Sequence, residues 1–158
     1  MRIEYWIILF VYILTTALIF IIPKRKFRLA VVAFLFKQFI TSIVGLVVVQ
    51  WGLLEYPIRL FPTVSRGSFT YEFFAFPVSC AIFTVFYPNQ RSIWVKLGYY
   101  FTFTTVLTIG EVLIEKYTEL IKYIHWEWYT SWFTILITFW MTRTFCRWFF
   151  KREEFGRF

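Results

Sequence analysis

Glu72, Glu111, Glu115 and His125 are the residues best suited to chemistry in this sequence, with Thr104 and Thr108 in line behind Glu111. Positions 104, 108, 111 and 115 follow helical spacing, so they share one face and the two glutamates point the same way. Carboxylates supply charge and acceptors, while an imidazole changes charge near neutral pH. Several of the former beside one of the latter would bind a cation or handle protons. Lys37 and Gln38 form a second polar pair within an apolar stretch, followed by Thr41, Ser42, Gly45 and Gly52. Ser131, Thr134, Thr138 and Thr142 make a second hydroxyl stripe at helical spacing.

Each of these residues also has a plainer role. Glu72, four residues after Ser68, suits the first turn of a helix, where a carboxylate complements the helix dipole. Lys37 is expected to snorkel toward the headgroups. His125 fits a hydrogen-bonded packing residue, and the small residues after Lys37 fit a close helix contact. Catalytic motifs are missing: there is no HExxH, nucleophile elbow or glycine-rich phosphate loop. Cys80 and Cys146 lack metal-ligand spacing and read as buried thiols. A single histidine per chain excludes bis-histidine haem within one subunit. No catalytic residue, metal site or cofactor is assigned.

The elements that hold these residues follow from composition. Of 158 residues, 59% are apolar and only 16% charged, and the chain carries 22 Phe, 10 Tyr and 8 Trp. Soluble domains average about 25% charged residues, and small ones bury a limited fraction of their surface. A soluble fold is therefore excluded, and so is disorder, since such a chain collapses in water. The chain reads as a single all-α domain over 1–158, an integral membrane bundle of five transmembrane helices. The expected spans are about 3–22, 29–54, 69–87, 95–114 and 131–150, each near the 20 apolar residues a bilayer needs. The first is read as a span and not a cleaved signal, because its basic cluster follows it.

Basic residues set the orientation. With the N-terminus outside, Lys24, Arg25, Lys26 and Arg28 fall inside, as do Arg91, Lys96, Arg143, Arg147, Lys151, Arg152 and Arg157. Arg2, Arg59, Arg66, Lys116 and Lys122 fall outside. The C-terminus is thus expected in the cytoplasm, and the net charge of +8 reflects topology, with no nucleic-acid partner. Trp6, Trp51, Trp126, Trp128 and Trp132 lie near the outer interface, and Trp94 and Trp148 near the inner one. They form an aromatic belt, with Trp140 alone at mid-span. Between spans four and five, Leu113, Tyr117, Leu120, Ile121 and Ile124 share one helical face opposite charged residues. This predicts an amphipathic outer segment, lying at the interface or prolonging helix four.

Several stretches resemble a family of small, uncharacterised multispanning membrane proteins of spore-forming Firmicutes. They are Leu54-Glu55-Tyr56-Pro57, Ser68 to Phe74 with Phe76-Pro77, Glu111 to Trp126 with Trp128-Tyr129, and Arg147 to Phe150. The resemblance covers most of the chain. It implies a Gram-positive cell membrane and a setting in sporulation or germination, and no activity.

Three functions compete. The first is an outward-facing carboxylate/His pocket that binds or passes a cation, a proton or a small polar ligand, as a transporter or channel would. The second is a structural or assembly partner in a membrane complex, as a homo-oligomer or with another membrane protein. A metal-dependent membrane enzyme ranks below both.

Overall fold

The computed structural model describes residues 3–61, 63 and 66–150. Arg2, Lys151, Arg152 and Arg157, which entered the orientation count, lie outside the described residues. The described residues form five α-helices: α1 (Ile3–Phe20), α2 (Phe27–Gln50), α3 (Phe76–Val85), α4 (Ile93–Tyr117) and α5 (Trp128–Phe149). A 3₁₀ turn at Lys24–Lys26 leads into α2, and a π-helical turn at Tyr71–Ala75 leads into α3. Two short strands, β1 (Leu54–Glu55) and β2 (Lys122–Tyr123), pair antiparallel, with Leu54 opposite Tyr123 and Glu55 opposite Lys122.

The architecture is thus mostly helical, but among the described residues only three helical segments are long and apolar enough to cross a membrane. They are Ile3–Phe20, Lys24–Gln50 and Ile93–Tyr117. The expected third span is a shorter apolar helix, Tyr71–Val85, which at 1.5 Å per residue falls well short of a hydrocarbon core about 30 Å thick. The helix at the expected fifth span is long enough, but six serine or threonine residues and two arginines dilute its apolar character.

Helix α2 is the central post, packing against both α3 and α5; α4 pairs with α5, and α1 leans on α3 and the π-helical turn. Small residues permit the close contacts of α2: Ala33 is fully buried and Ala30 nearly so, beside Cys146 and Ala81. Phe83 is the hub of the other end. Its ring lies 4.8–5.6 Å from those of Tyr87, Tyr99, Tyr100, Phe103 and Phe139, tying α3 to α4 and α5. The outer faces of α1, α4 and α5 expose Phe10, Ile13, Phe101, Val106, Phe133 and Ile137, the dress of a bundle surrounded by an apolar medium.

Several local expectations are corrected. α2 ends at Gln50, not near residue 54, and Gly52 is no part of a packing stripe. It takes φ +65 just past the helix, where a left-handed residue lets the Leu53 amide donate back to the Val48 carbonyl at 3.1 Å. The outer segment after α4 is extended, not an amphipathic helix. Thr118 adopts extended backbone and turns its hydroxyl onto the Ile114 carbonyl at 2.6 Å, and the same oxygen accepts from the Leu120 amide at 3.2 Å. This local bonding competes with helix continuation. The strand pairing then holds the segment down, with Leu120 and Ile121 buried on the bundle end beside Ile8, Leu54, Tyr56 and Tyr71.

At the opposite end, Lys26 donates to the Val85 carbonyl at 2.9 Å and so caps α3. Its partial burial, with Arg25 beside it, lowers the ammonium pKa. Arg143 is buried over the Tyr87 ring, 3.4 Å from the centroid, and donates to Asn89.

Candidate functional site

Helices α2 and α5, the π-helical turn before α3, α4 and the β1–β2 ladder together line a partly open cavity of about 80 Å³. A water needs roughly 10–15 Å³ of such space, so several waters or one partly hydrated ion fit. Three ionisable side chains from different elements line it: Lys37 of α2, Glu72 of the π-helical turn and Glu111 of α4. The hydroxyls are Thr41, Ser131, Thr134 and Thr138. The ladder end is closed by Leu54, Tyr56, Ile121 and Trp126.

Glu72 is 5% exposed, and its Oε1 has no hydrogen-bond partner among the described residues. The carboxylate also bonds the Ser68 backbone at the start of the helix, as expected of a first-turn acid, so it is Oε1 alone that is left over. The wider π-helical turn carries it sideways into the bundle, a device often found at functional sites. The niche it fills is cut by two glycines. A Cβ at Gly45 or at Gly67 would sit 2.5 Å from Glu72 Oε1, closer than any carbon tolerates. Absence of side chains at both positions is what lets a carboxylate occupy this depth.

Glu111 is held differently. Its Oε1 accepts from Tyr123 Oη at 2.7 Å and from Ser131 Oγ at 2.5 Å, and Ser131 in turn accepts from Trp126 Nε1 at 2.7 Å. Trp126, expected in the aromatic belt, is instead half-buried inside this network. Tyr56 reports how near the two carboxylates lie. Burial pushes its phenol well above the ordinary range, and the charges of Glu72 and Glu111 push it further. Tyr123 moves the same way, from burial first and Glu111 second. Both phenols therefore stay protonated and neutral beside the carboxylates.

Lys37 does not snorkel. It is 3% exposed, donates to Thr138 Oγ1 at 2.5 Å, and lies 5.1 Å from the Phe139 ring centroid and 6.0 Å from that of Phe76. The helix carries it at a position packed among side chains of α3 and α5, so its ammonium ends inside the bundle. Gln38, one residue on, is half-buried and outside the cavity lining.

The structure thus brings Glu72, Glu111 and Lys37 together and leaves the other expected residues outside. Glu115 is half-buried one turn above Glu111 and does not line the cavity. The His125 side chain is exposed; its backbone amide donates to the Leu53 carbonyl at 2.9 Å, extending the ladder. The pocket is therefore lined by carboxylates and a lysine, without the histidine. Thr104 and Thr108 are buried, but Thr108 donates to the Thr104 carbonyl at 2.9 Å and borders a separate groove beside Trp128 and Trp132. The hydroxyls that do face the cavity come from α2 and α5. Spacing alone marked both stripes; it did not tell which one turns inward. Tyr56, Tyr123 and Trp126 carried no such signal, because they reach the site through an extended turn and not through a helical period.

A second cleft, of about 480 Å³, runs between α1 and α4 and is lined mainly by Phe10, Leu14, Leu18, Val106 and Leu113. Phe76 and Glu111 border both spaces, so they are the wall between them. Among the described residues, no three His, Cys, Asp or Glu side chains cluster at metal-ligating distance.

The Glu111 network yields an expected result. Ser131→Ala removes one donor to Glu111 and the acceptor of Trp126, and should cost about 1.5–3 kcal/mol in reversible unfolding. Trp126→Phe removes only the outer bond and should cost less. Equal losses in the two variants would mean that Ser131 does not support Glu111.

Comparison of the chain with protein-family models, with curated proteins and with solved structures finds no match.

Proposed function

We propose that this chain is a five-span protein of the cell membrane, N-terminus outside and C-terminus cytoplasmic, whose central cavity binds or passes a cation or proton. One observation carries the functional part: a buried carboxylate oxygen, Glu72 Oε1, without a partner among the described residues, on a cavity shared with Glu111. Burying a carboxylate oxygen unpaired is costly, and in an apolar medium such groups mark ion or proton sites. The hydroxyl lining suits a cation. Thr41 and Thr134 donate their hydrogens to helix carbonyls four residues back, which leaves lone pairs for the cavity.

The test compares parent and Glu72→Gln proteins in mild detergent. Native mass spectrometry counts bound alkali ions, and difference titration counts bound protons. The parent should hold an ion or a proton that the variant lacks, with folding retained. Identical counts would sink the proposal.

A second function, as a structural or assembly partner, is favoured by Glu111, whose Oε1 already accepts from two hydroxyls as a purely structural carboxylate would. On that view Glu111→Gln costs stability or self-association and changes no ligand. Size-exclusion with light scattering, run on parent and variant, separates the two. A change in subunit number with unchanged ion content supports assembly.

A further inference from the structure

The geometry points to a fixed charge count in the cavity: Lys37 is a built-in counter-cation that limits the occupant to one positive charge, an alkali cation or a proton. The inference rests on the cavity reading above and adds to it the class of ligand.

Only three of the lining side chains are ionisable carboxylates or ammonium groups, namely Lys37, Glu72 and Glu111. The rest are hydroxyl, phenol, indole or aliphatic groups, and His125 and Glu115 lie outside the lining. One ammonium against two carboxylates leaves the wall one charge short of neutrality. A residual charge is expensive in an apolar medium, so the favoured filled state carries one added positive charge and not two.

Lys37 cannot leave to make way for a divalent ion. Its ammonium is bonded to Thr138 and flanked by the Phe76 and Phe139 rings, which stabilise a cation. Thr138 directs its own hydrogen to the Thr134 or Ile135 carbonyl, at 2.9 or 3.0 Å, so it serves Lys37 purely as an acceptor. Glu111 is held by two side-chain hydroxyls, Tyr123 and Ser131, whereas Glu72, anchored only at the Ser68 backbone, keeps Oε1 without a partner among the described residues. Glu72 is then the exchangeable ligand, Glu111 the fixed one, and Lys37 the charge that sets the stoichiometry.

The test uses the full chain in mild detergent at constant ionic strength, with N-methylglucamine chloride as the inert salt. Thermal unfolding is followed against NaCl, KCl, MgCl₂ and CaCl₂, because a ligand bound only by the folded state raises the midpoint in proportion to its affinity. A difference titration against Glu72→Gln counts protons. The parent should show one site per chain, filled either by Na⁺ or K⁺ or, with no alkali response, by one proton. Lys37→Met should raise the preference for Ca²⁺ or Mg²⁺ over monovalent ions at least tenfold, or raise the proton count to two. Lys37→Met combined with Glu111→Gln has the parent's charge and should be monovalent again, which keeps the test open if the single variant does not fold.

A parent that binds Ca²⁺ as tightly as Na⁺ or K⁺ would overturn the charge count and leave the cavity as a cation site. So would a Lys37→Met protein with the parent's ion preference, or a double variant that binds no monovalent charge. A parent indistinguishable from Glu72→Gln in every titration would overturn the cavity reading itself.

Discussion

Gly45→Ala should destabilise the protein by about 1–3 kcal/mol and weaken cation or proton binding at least tenfold, although the position lies inside a helix. Helix propensity alone gives the opposite sign, since alanine is favoured over glycine by about 1 kcal/mol in a helix interior. The added methyl decides the outcome, because it would fall 2.5 Å from Glu72 Oε1 and 2.6 Å from its carboxyl carbon. Burial of Glu72 at 5% exposure leaves its carboxylate little room to retreat. A double-mutant cycle isolates the cause. In a Glu72→Ala background the niche is empty, and Gly45→Ala should turn neutral or stabilising. Reversible unfolding of the four proteins in the same detergent supplies the numbers. A cost that persists without the Glu72 side chain would assign Gly45 to ordinary helix contact.

The second large effect is expected at a residue that does not itself line the cavity. Phe83→Ala should cost about 3–5 kcal/mol, the range for emptying a fully enclosed aromatic position. Phe83 is 0% exposed and touches five rings drawn from α4, α5 and the turn after α3, so its loss leaves a void that no single neighbour can fill. Phe83→Leu keeps much of the volume and should cost less. The hub lies at the opposite end of α3 from the π-helical turn and joins no cavity wall. Ion or proton stoichiometry measured on the folded fraction of Phe83→Ala should therefore match the parent. Altered stoichiometry would show that the packing of α3 governs the orientation of Glu72.

These two substitutions treat the bundle's two ends as separable, which the fold supports through its connections. α3 is short and hangs between α2 and the aromatic cluster, while its π-helical entry faces the cavity. The β1–β2 ladder then closes the cavity with Tyr56, Ile121 and Trp126, side chains supplied by segments some 65–70 positions apart in the sequence.

Composition and period by themselves determined a great deal. The apolar fraction and scarcity of charge pointed to an all-α chain for an apolar medium, and the breaks at Pro23 and Pro88-Asn89 bounded helices close to where they stand. Glu72 and Glu111 were legible as interior polar groups, because a carboxylate within a long apolar run stands out against its neighbours. The tertiary structure alone decided what these groups face. Helical spacing shows that Thr104 and Thr108 share a side with Glu111, yet helix–helix packing turned that side into a buried contact and brought Thr134 and Thr138 of α5 to the cavity. Lys37 reads in the sequence as a side chain able to reach the interface; the close approach of α3 and α5 to α2 leaves it no path there. The helical period of the segment after α4 was real, but the Thr118 hydroxyl and a strand partner from beyond α2 outweighed it, and pairing between distant segments leaves no trace in a local period. Gly45 and Gly67 carry the same lesson. Gly45 reads in the sequence only as one of a run of small residues, and Gly67 carries no signal at all, until the fold sets both against one carboxylate.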